Sequence, residues 1–311
     1  MYTIKEASAR SGVGVPLLRA WERRYGVVAP TRTPSGYRLY DDDAIDRLRA
    51  MRQLIAHGWS AQQAAERVRD VDPRGIADLA ESLETSEDAA PEADPASVRI
   101  SAAEDVIARI VGAARRIDAG AMEAALDDAF SSARFEAVAD RIVMPALREI
   151  GGAWERGEIT VAGEHAASQA VLRRMAMAYE GAGVAGVAER PVLVGLGPGT
   201  RHEIGAFAFA VAARRAGLPV LYLGPDLPAE SWRAAVVGRR ARAAVIGVPT
   251  RADVRRATTV IRALRSPSGA HLIAVGGDAA ARAAASTGVL ALPEELTEAV
   301  AVLRQAIEDE R

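Results

Sequence analysis

The chain contains no cysteine, and only four of its 311 residues are histidine. Disulfide bonds, thiolate metal sites and cysteine nucleophiles are therefore excluded. No apolar run approaches the roughly 18 residues that a membrane span requires, and no signal peptide opens the sequence. We therefore expect a soluble cytoplasmic protein with no membrane partner.

Net charge is also nearly absent from the chain as a whole, at −2, but it is distributed unevenly. Residues 1–40 contain seven Lys or Arg and only two Glu, which gives this segment a charge of +5. A basic first module on an otherwise neutral or acidic chain indicates that this part alone meets a polyanion. The length suits two or three compact units rather than one core.

The basic segment is patterned as a helix-turn-helix followed by a wing. Thr3 is a plausible N-cap for a helix that stops at Gly12, and a second helix runs over residues 17–25 with Leu18 and Trp21 facing inward. Such a second helix lies in the major groove of DNA, and residues 27–40 follow as a small β-hairpin. The candidate DNA contacts are Arg19, Arg23, Arg24, Arg32, Tyr37 and Arg38. The alternative is a helical domain with an incidental arginine face.

The middle of the chain is helical by pattern. Residues 84–97 hold five acidic residues, two prolines and no basic residue, and this composition is typical of a flexible linker. Residues 101–185 then contain four amphipathic helices, which predict a four-helix bundle. Trp154 precedes the pair Glu164 and His165 across a glycine-containing turn, so all three can share one end of the bundle. The plainer interpretation is a core tryptophan and a glutamate placed favourably for the helix macrodipole.

From residue 190 onward the pattern alternates between strands and helices. Strands are predicted over 192–196, 220–223, 244–248, 272–275 and 289–292, which indicates a parallel, doubly wound sheet. Glycine-rich loops follow three of these strands at the sheet edge where such folds bind ligands. The glycine fingerprint of NAD-binding domains is absent, which disfavours NAD. His202 is the side chain in the first loop suited to a borderline metal, although a lone loop histidine is more often an ordinary polar residue.

Residues 1–70 resemble the MerR-type winged-helix module. The resemblance rests on Tyr2-Thr-Ile-Lys-Glu-Ala, on Leu18-Arg-Ala-Trp-Glu-Arg-Arg-Tyr-Gly26 and on Gly36-Tyr-Arg-Leu-Tyr40, which occur in the order and spacing of that family. It implies that the partner is double-stranded operator DNA.

The last segment resembles cobalamin-binding (vitamin B12) domains of the base-off, histidine-on kind. His202-Glu-Ile-Gly205 is followed after 41 residues by Gly247-Val248-Pro249, and after 26 more by Gly276-Gly277. This resemblance implies that His202 is the lower cobalt ligand and that Gly205, Gly247, Gly276 and Gly277 make room for the benzimidazole tail. Two positions depart from the family pattern: Thr200 stands where an acidic residue would orient the histidine, and Gly247 stands where a serine would bind the tail.

The whole order of segments resembles the CarH-type repressors, which use adenosylcobalamin to sense light. That resemblance implies a bundle that caps the cofactor, with Trp154, Val161, Glu164 and His165 over the upper face of the corrin, and it implies self-association as a dimer or tetramer. One departure bears on the mechanism. In that family a histidine that captures cobalt after illumination directly follows the tryptophan, whereas here the residue is Glu155.

These observations predict a multidomain chain: a winged helix-turn-helix (1–70), a linker (71–98), a four-helix bundle (99–188) and a Rossmann-like, flavodoxin-like α/β cobalamin-binding domain (189–311). The predicted function is that of a cobalamin-dependent, light-responsive repressor acting at the nucleoid, not of an enzyme. Two alternatives stay open. One is a MerR-type regulator that senses cobalamin or another chromophore without photochemistry, and the other is a corrinoid methyl carrier fused to a DNA-binding module.

Overall fold

A computed structural model describes residues 1–33, 36–56, 59, 61–72, 75–79, 100–182, 190–265 and 272–309. The chain divides into two compact units, Met1–Val184 and Ala185–Arg311. The predicted fold class is confirmed, since a winged helix, a helical bundle and a parallel α/β domain follow one another. Residues 80–99, most of the predicted linker, lie outside the described residues. None of the described helices combines the length and apolar character needed to span a bilayer.

The winged-helix head opens the first unit. Its elements are β1 (Tyr2–Thr3), α1 (Ile4–Ser11), α2 (Val15–Tyr25), β2 (Thr31–Arg32), β3 (Arg38–Tyr40), α3 (Asp42–Ala56) and α4 (Ala61–Arg69). Thr3 caps α1 in a reciprocal capping box with Glu6, as its position before the helix predicts. Strand β1 is an addition to the predicted hairpin, because it pairs with β3 and makes a sheet of order β1-β3-β2.

The core of the head forms on the inner faces of α1, α2 and α3. Leu18 and Trp21 are buried in it, as predicted for the inner face of α2. Residues 75–79 are also helical, and Ile76 is fully buried in the same core. Arg47 donates hydrogen bonds to the carbonyls of Val68 and Val71. The folded head therefore continues past residue 70.

The bundle consists of four helical rods in the same unit. They are α5 (Ile100–Arg116), α6 (Ala119–Ser132), a composite of α7 (Phe135–Val138) with α8 (Met144–Glu155), and α9 (Val161–Gly181). A π-helical turn over Ala139–Val143 joins α7 to α8 without a break. Pro145 explains this turn, because its ring has no N–H and would clash with the carbonyl four residues earlier in a regular α-helix.

The second unit is a five-stranded parallel sheet with helices between the strands. Its elements are β4 (Val192–Leu196), α10 (Ile204–Arg215), β5 (Val220–Gly224), α11 (Ala229–Gly238), β6 (Ala243–Gly247), α12 (Asp253–Leu264), β7 (Leu272–Gly276), α13 (Ala280–Thr287), β8 (Leu290–Ala291) and α14 (Leu296–Asp309). All five predicted strands and the helices between them are confirmed. Every residue of β4 and β6 is buried, as expected for central strands covered on both faces.

In the strand order β5-β4-β6-β7-β8, the side on which successive strands are added changes at β4, while all strands stay parallel. The chain passes from β4 outward to β5 and then returns to the other side of β4 to form β6. In doubly wound sheets the loops at such a switch point diverge and leave a crevice beyond the carboxyl ends of the strands. The loop that contains His202 follows β4 and therefore lies at this crevice.

Candidate functional site

Four of the six predicted DNA contacts are exposed on the head. Arg19 and Arg23 are exposed on α2, opposite the buried Leu18 and Trp21. Arg32 and Tyr37 are exposed on the wing, and Tyr37 is 73% exposed despite its large ring. The side chain of Arg24 lies outside the described residues. A helix and a hairpin with exposed arginines are suited to a groove and its flanking phosphates.

Arg38 has a partner within the protein. Its Nε donates to both carboxylate oxygens of Glu22 on α2, at 2.9 and 3.0 Å. The hydroxyl of Tyr40 donates to the same carboxylate at 3.2 Å. Burial, followed by the charge of Glu22 and this hydrogen bond, raises the pKa of Tyr40 to about 12. Glu22 thus joins the wing to α2. A phosphate contact by Arg38, which stays a prediction, would use its terminal nitrogens.

A tight turn brings two large apolar side chains to one end of the bundle. The N–H groups of Glu158 and Ile159 donate to the carbonyl of Ala153, which closes the chain between α8 and α9. Trp154 is 47% exposed and Val161 is 55% exposed. The interpretation of Trp154 as a core tryptophan is therefore wrong. Exposed apolar side chains that flank one turn form a surface that a flat ligand can cover.

A polar pair lies in the first turn of α9, beside this apolar surface. One carboxylate oxygen of Glu164 lies 2.7 Å from Nδ1 of His165, and the other accepts a hydrogen bond from Ser168 at 2.8 Å. The side chain of His165 is 72% exposed. Thr160 caps the helix through the N–H of Gly163. The pair offers both donors and acceptors to a polar ligand.

Close backbone packing fixes where α9 begins. A Cβ atom added to Gly163 would lie only 2.4 Å from the carbonyl oxygen of Ala114 on α5. Only glycine permits this approach. The first turn of α9, with Glu164 and His165 on it, is therefore held against α5.

At the sheet edge, His202 is exposed and makes no hydrogen bond or ion pair with any residue that the structure describes. The next residue, Glu203, accepts a hydrogen bond at 2.8 Å from Tyr222 on β5, whose ring stacks on Phe207 with centroids 4.6 Å apart. Burial and the hydrogen bond to Glu203 raise the pKa of Tyr222 far above its usual value. The loop is thus fixed on the carboxyl side of His202.

The amino side of His202 is fixed in the same way. Gly199, in the left-handed region at φ 75°, donates its N–H to Asp226 at 2.6 Å. Thr200 is 2% exposed, and its hydroxyl donates to the buried carboxylate of Asp253 at 3.0 Å. The imidazole of His202, which has no partner in the described part of the chain, therefore lies on a loop that is anchored on both sides.

The glycines predicted to receive the cofactor tail have different surroundings. Gly247 ends β6, and an added Cβ would lie 3.1 Å from Ala206 Cβ, so the serine of the family pattern would be crowded here. Gly277 has φ 105°, and its Cβ would lie 3.0 Å from the carbonyl oxygen of Val248. Gly276 is partly exposed at the end of β7, and Gly205 is exposed in the first turn of α10.

Each of the two units, taken by itself, has residues whose chemistry fits a corrinoid. An exposed imidazole is a borderline donor suited to cobalt. On its anchored loop it has no partner among the described residues that would compete with a metal. On the bundle, Trp154 and Val161 offer an apolar surface and Glu164 and His165 a polar one.

Residue patterns alone did not find four members of the His202 surroundings. They are Glu203, Tyr222, Asp226 and Asp253. Only Glu203 is near His202 in the sequence. Tyr222 lies on β5, and Asp226 and Asp253 belong to the segments that follow β5 and β6. The signal that could have found them is the strand order, because it decides which loops meet at the sheet edge.

Comparison with protein families gives two matches. Residues 2–70 match the family described as MerR HTH family regulatory protein. Residues 106–179 match the family described as B12 binding domain. The match to a DNA-binding family and the match to a cofactor-binding family lie in separate parts of the chain.

Among curated proteins, the chain is 32% identical over 239 residues to the HTH-type transcriptional repressor CarH of Myxococcus xanthus, covering 77% of this chain and 76% of that protein. It is 29% identical over 266 residues to the repressor CarA of the same organism, covering 85% and 82%. Among solved structures, the monomethylamine corrinoid protein of Methanosarcina barkeri aligns with 65% of this chain and 99% of its own, with a TM-score of 0.56 at 13% identity. That last likeness concerns the fold alone.

Proposed function

Since this chain belongs to the family of the CarH transcriptional repressors and is a cobalamin-binding transcriptional regulator, we propose that it is a light-responsive repressor whose oligomeric state is set by adenosylcobalamin. The observation that carries the proposal is that His202 is exposed on an anchored loop and has no partner among the residues that the structure describes. It is supported by the exposed Trp154 and Val161 at the bundle end.

In this proposal His202 would be a protein ligand of the cobalt, and Gly205, Gly247, Gly276 and Gly277 would make room for the benzimidazole tail. The bound cofactor supplies a cobalt–carbon bond that light breaks. Thr200 sits behind His202 rather than beside the cofactor, because its hydroxyl is buried against Asp253.

The upper ligand is proposed to be held by the bundle end. Trp154 offers a ring on which an adenine can stack, and Val161 extends that apolar surface. Glu164 and His165 are suited to ribose hydroxyls and to the adenine amino group. An exposed Trp and Val leave more apolar surface in water without the ligand than with it, so ligand binding changes which surfaces are available for self-association.

The head is proposed to bind operator DNA through Arg19, Arg23, Arg24, Arg32, Tyr37 and Arg38. A single head that contacts few phosphates binds DNA weakly. In an oligomer, binding of one head holds the next one near the DNA at a high effective concentration, which raises the affinity of the whole assembly. Any ligand that favours the oligomer therefore favours repression, provided that it binds the oligomer more tightly than the separate chains.

The first test is an absorption spectrum of the protein mixed with adenosylcobalamin in the dark, desalted and then illuminated. We expect retained corrin bands that change on illumination, and a loss of retained cofactor in His202→Ala. Light scattering and operator binding on the same samples should show a larger assembly and tighter binding in the dark. Equal mass and equal operator affinity with and without cofactor would contradict the proposal.

Glu155 supports a second candidate function, in which the protein reads the presence of cobalamin without using light. Glu155 is exposed at the end of α8, where CarH-type repressors are expected to have the histidine that captures cobalt. A carboxylate is a poor substitute for imidazole on that metal. Operator binding that responds to cobalamin but not to illumination would favour this candidate, and restoration of a stable light state by Glu155→His would identify the residue responsible.

A further inference from the structure

A buried carboxylate lies at the amino end of α12, directly behind the His202 loop. Asp253 is 3% exposed and accepts three hydrogen bonds. They come from Thr200 Oγ1 at 3.0 Å, Thr250 Oγ1 at 2.6 Å and Arg256 Nη1 at 2.7 Å. Burial by itself would raise the pKa of Asp253, but the hydrogen bonds from Thr250, Arg256 and Thr200 lower it overall, so the group is a carboxylate at neutral pH.

The three donors differ in what they connect. Thr250 is exposed in the loop after β6, and Arg256 is one turn along α12, so both lie close to Asp253 in the sequence. Thr200 lies 53 residues away, in the loop after β4 and two positions before His202. The hydrogen bond from Thr200 is therefore the link between the carboxylate and the predicted cobalt ligand.

A histidine that coordinates a metal through one ring nitrogen needs an acceptor for the N–H of the other. That acceptor fixes the tautomer and the orientation of the ring. At the position where the family pattern places an acidic residue, this chain has Thr200, whose hydroxyl donates to Asp253 and still has lone pairs to accept with. A hydroxyl that donates to a carboxylate is polarised and becomes a better acceptor.

We propose that Asp253 is a positioning residue for the cobalt ligand, acting through the hydroxyl of Thr200. When His202 coordinates cobalt, its second ring nitrogen donates to Thr200 Oγ1, which in turn donates to the Asp253 carboxylate. This inference rests on the proposed function, because it requires that cobalamin is bound through His202. In this chain the carboxylate would thus act on the histidine through an intervening threonine hydroxyl, a hydrogen-bonded relay, rather than accept directly from the imidazole.

The geometry gives reasons for this arrangement. His202 is exposed and unpaired among the described residues, so its ring is free to turn toward Thr200. Thr200 is buried, so water does not compete for its lone pairs. Arg256, whose side chain is 42% exposed, partly offsets the cost of burying the charge of Asp253.

The test uses the full chain loaded with cob(II)alamin, whose unpaired electron reports an axial nitrogen by electron paramagnetic resonance. Labelling histidine with nitrogen-15 distinguishes a protein histidine from the benzimidazole of the cofactor. Wild type should give a labelled-histidine splitting that His202→Ala abolishes. Asp253→Asn and Thr200→Val should reduce that splitting and raise the Kd for cob(II)alamin about 10- to 100-fold.

Thr250→Val is the matched control, because it removes a hydroxyl donor from the same carboxylate without interrupting the path to His202. We expect its splitting and Kd to stay at the wild-type values. The exchange variant Thr200→Asp with Asp253→Ser returns the carboxylate to the position next to His202 and keeps one buried charge. It should restore the splitting that each single substitution of Asp253 or Thr200 weakens. The unliganded melting temperature of every variant separates ligation from folding.

The outcomes separate the two proposals. If wild type retains no cobalamin, or if its axial nitrogen does not come from His202, the proposed cofactor site fails and the relay fails with it. If wild type shows the His202 splitting but Asp253→Asn and Thr200→Val keep it unchanged, the relay alone is overturned. Equal losses in Thr250→Val and Thr200→Val without rescue by the exchange variant would reduce Asp253 to a purely structural role.

Discussion

At the scale of single residues, two tryptophans differ in burial, and burial separates a structural side chain from a candidate for ligand binding. Trp232 is fully buried in the α/β unit, and its Nε1 donates to the carbonyl of Leu196 at 3.2 Å, at the end of β4. Trp154 is 47% exposed and lies at the bundle end. The first side chain supports the sheet, whereas the second has surface left for a ligand.

Substituting each tryptophan with alanine should therefore have opposite signatures. Trp232→Ala should cost the unliganded protein about 3–5 kcal/mol of stability, because it empties a core position. Trp154→Ala should change that stability by less than about 0.5 kcal/mol. Loss of a stacking partner for adenine should instead weaken adenosylcobalamin binding by about 1–3 kcal/mol. Circular dichroism melts and cofactor titrations measure the two effects, and a large loss of unliganded stability in Trp154→Ala would contradict this assignment.

Two arginines of the wing differ likewise, since one is exposed to solvent and the other is paired within the protein. Arg32 is exposed, whereas the side chain of Arg38 is held by Glu22, which is itself only 17% exposed. Arg32→Ala should weaken operator binding at every sequence and reduce the slope of log affinity against log salt by about 1, with no change in melting. Arg38→Ala should also lower the melting temperature, because it leaves the Glu22 carboxylate without its cation. Identical melts for the two variants would show that the Glu22 pair contributes nothing to the wing.

At the scale of elements, the position of α9 depends on its contact with α5. Gly163→Ala places a methyl group against the backbone oxygen of Ala114, which cannot move aside alone, and should destabilise the first unit by about 1–3 kcal/mol. Gly151 is the matched control, since it lies within α8 and an added Cβ meets no atom within 4 Å. Gly151→Ala should stabilise the unit by about 0.5–1 kcal/mol. Thermal melts report both signs, and a neutral Gly163→Ala would show that α9 shifts freely along α5.

The comparison of these elements with the sequence shows what local pattern can determine. The five strands of the sheet and the helix-turn-helix were predictable, because apolar runs and capping residues are local signals. The π-helical turn before Pro145 and the pairing of β1 with β3 were not predicted, since each depends on how a segment fits its surroundings. In the candidate site, spacing predicted His202 as the ligand, and that assignment stays a prediction. The hydrogen bond from Thr200 to Asp253 spans 53 residues and could not be predicted without the strand order.

At the scale of the whole molecule, positive charge is concentrated in the head. Residues 1–40 carry +5, and the remaining residues, with 32 basic and 39 acidic side chains, carry −7. DNA binding should therefore draw its dependence on salt from the head alone. Each head bound to DNA should then add the same amount to the slope of log affinity against log salt concentration.

This gives a count of heads on the operator. If the five predicted arginines of a head each neutralise one phosphate, log affinity should fall with log salt with a slope of about −4.5 for one head and about −9 for two. We expect the steeper slope with adenosylcobalamin in the dark and the shallower one after illumination. Filter binding across a salt series measures it, and one unchanged slope in all conditions would contradict a cofactor-dependent change in the number of bound heads.

Strand β1 also has a practical consequence for anyone who engineers this protein. Tyr2 and Thr3 pair with Tyr40 and Leu39 at an edge of the wing sheet, and Thr3 caps α1. A purification tag or fluorescent fusion attached directly before Tyr2 would extend that sheet edge and place bulky residues beside the N-cap of α1. Such a fusion would disturb the wing, and the measured operator affinity would be lower than that of the unmodified protein. For DNA-binding measurements a tag should therefore be attached after residue 311 instead.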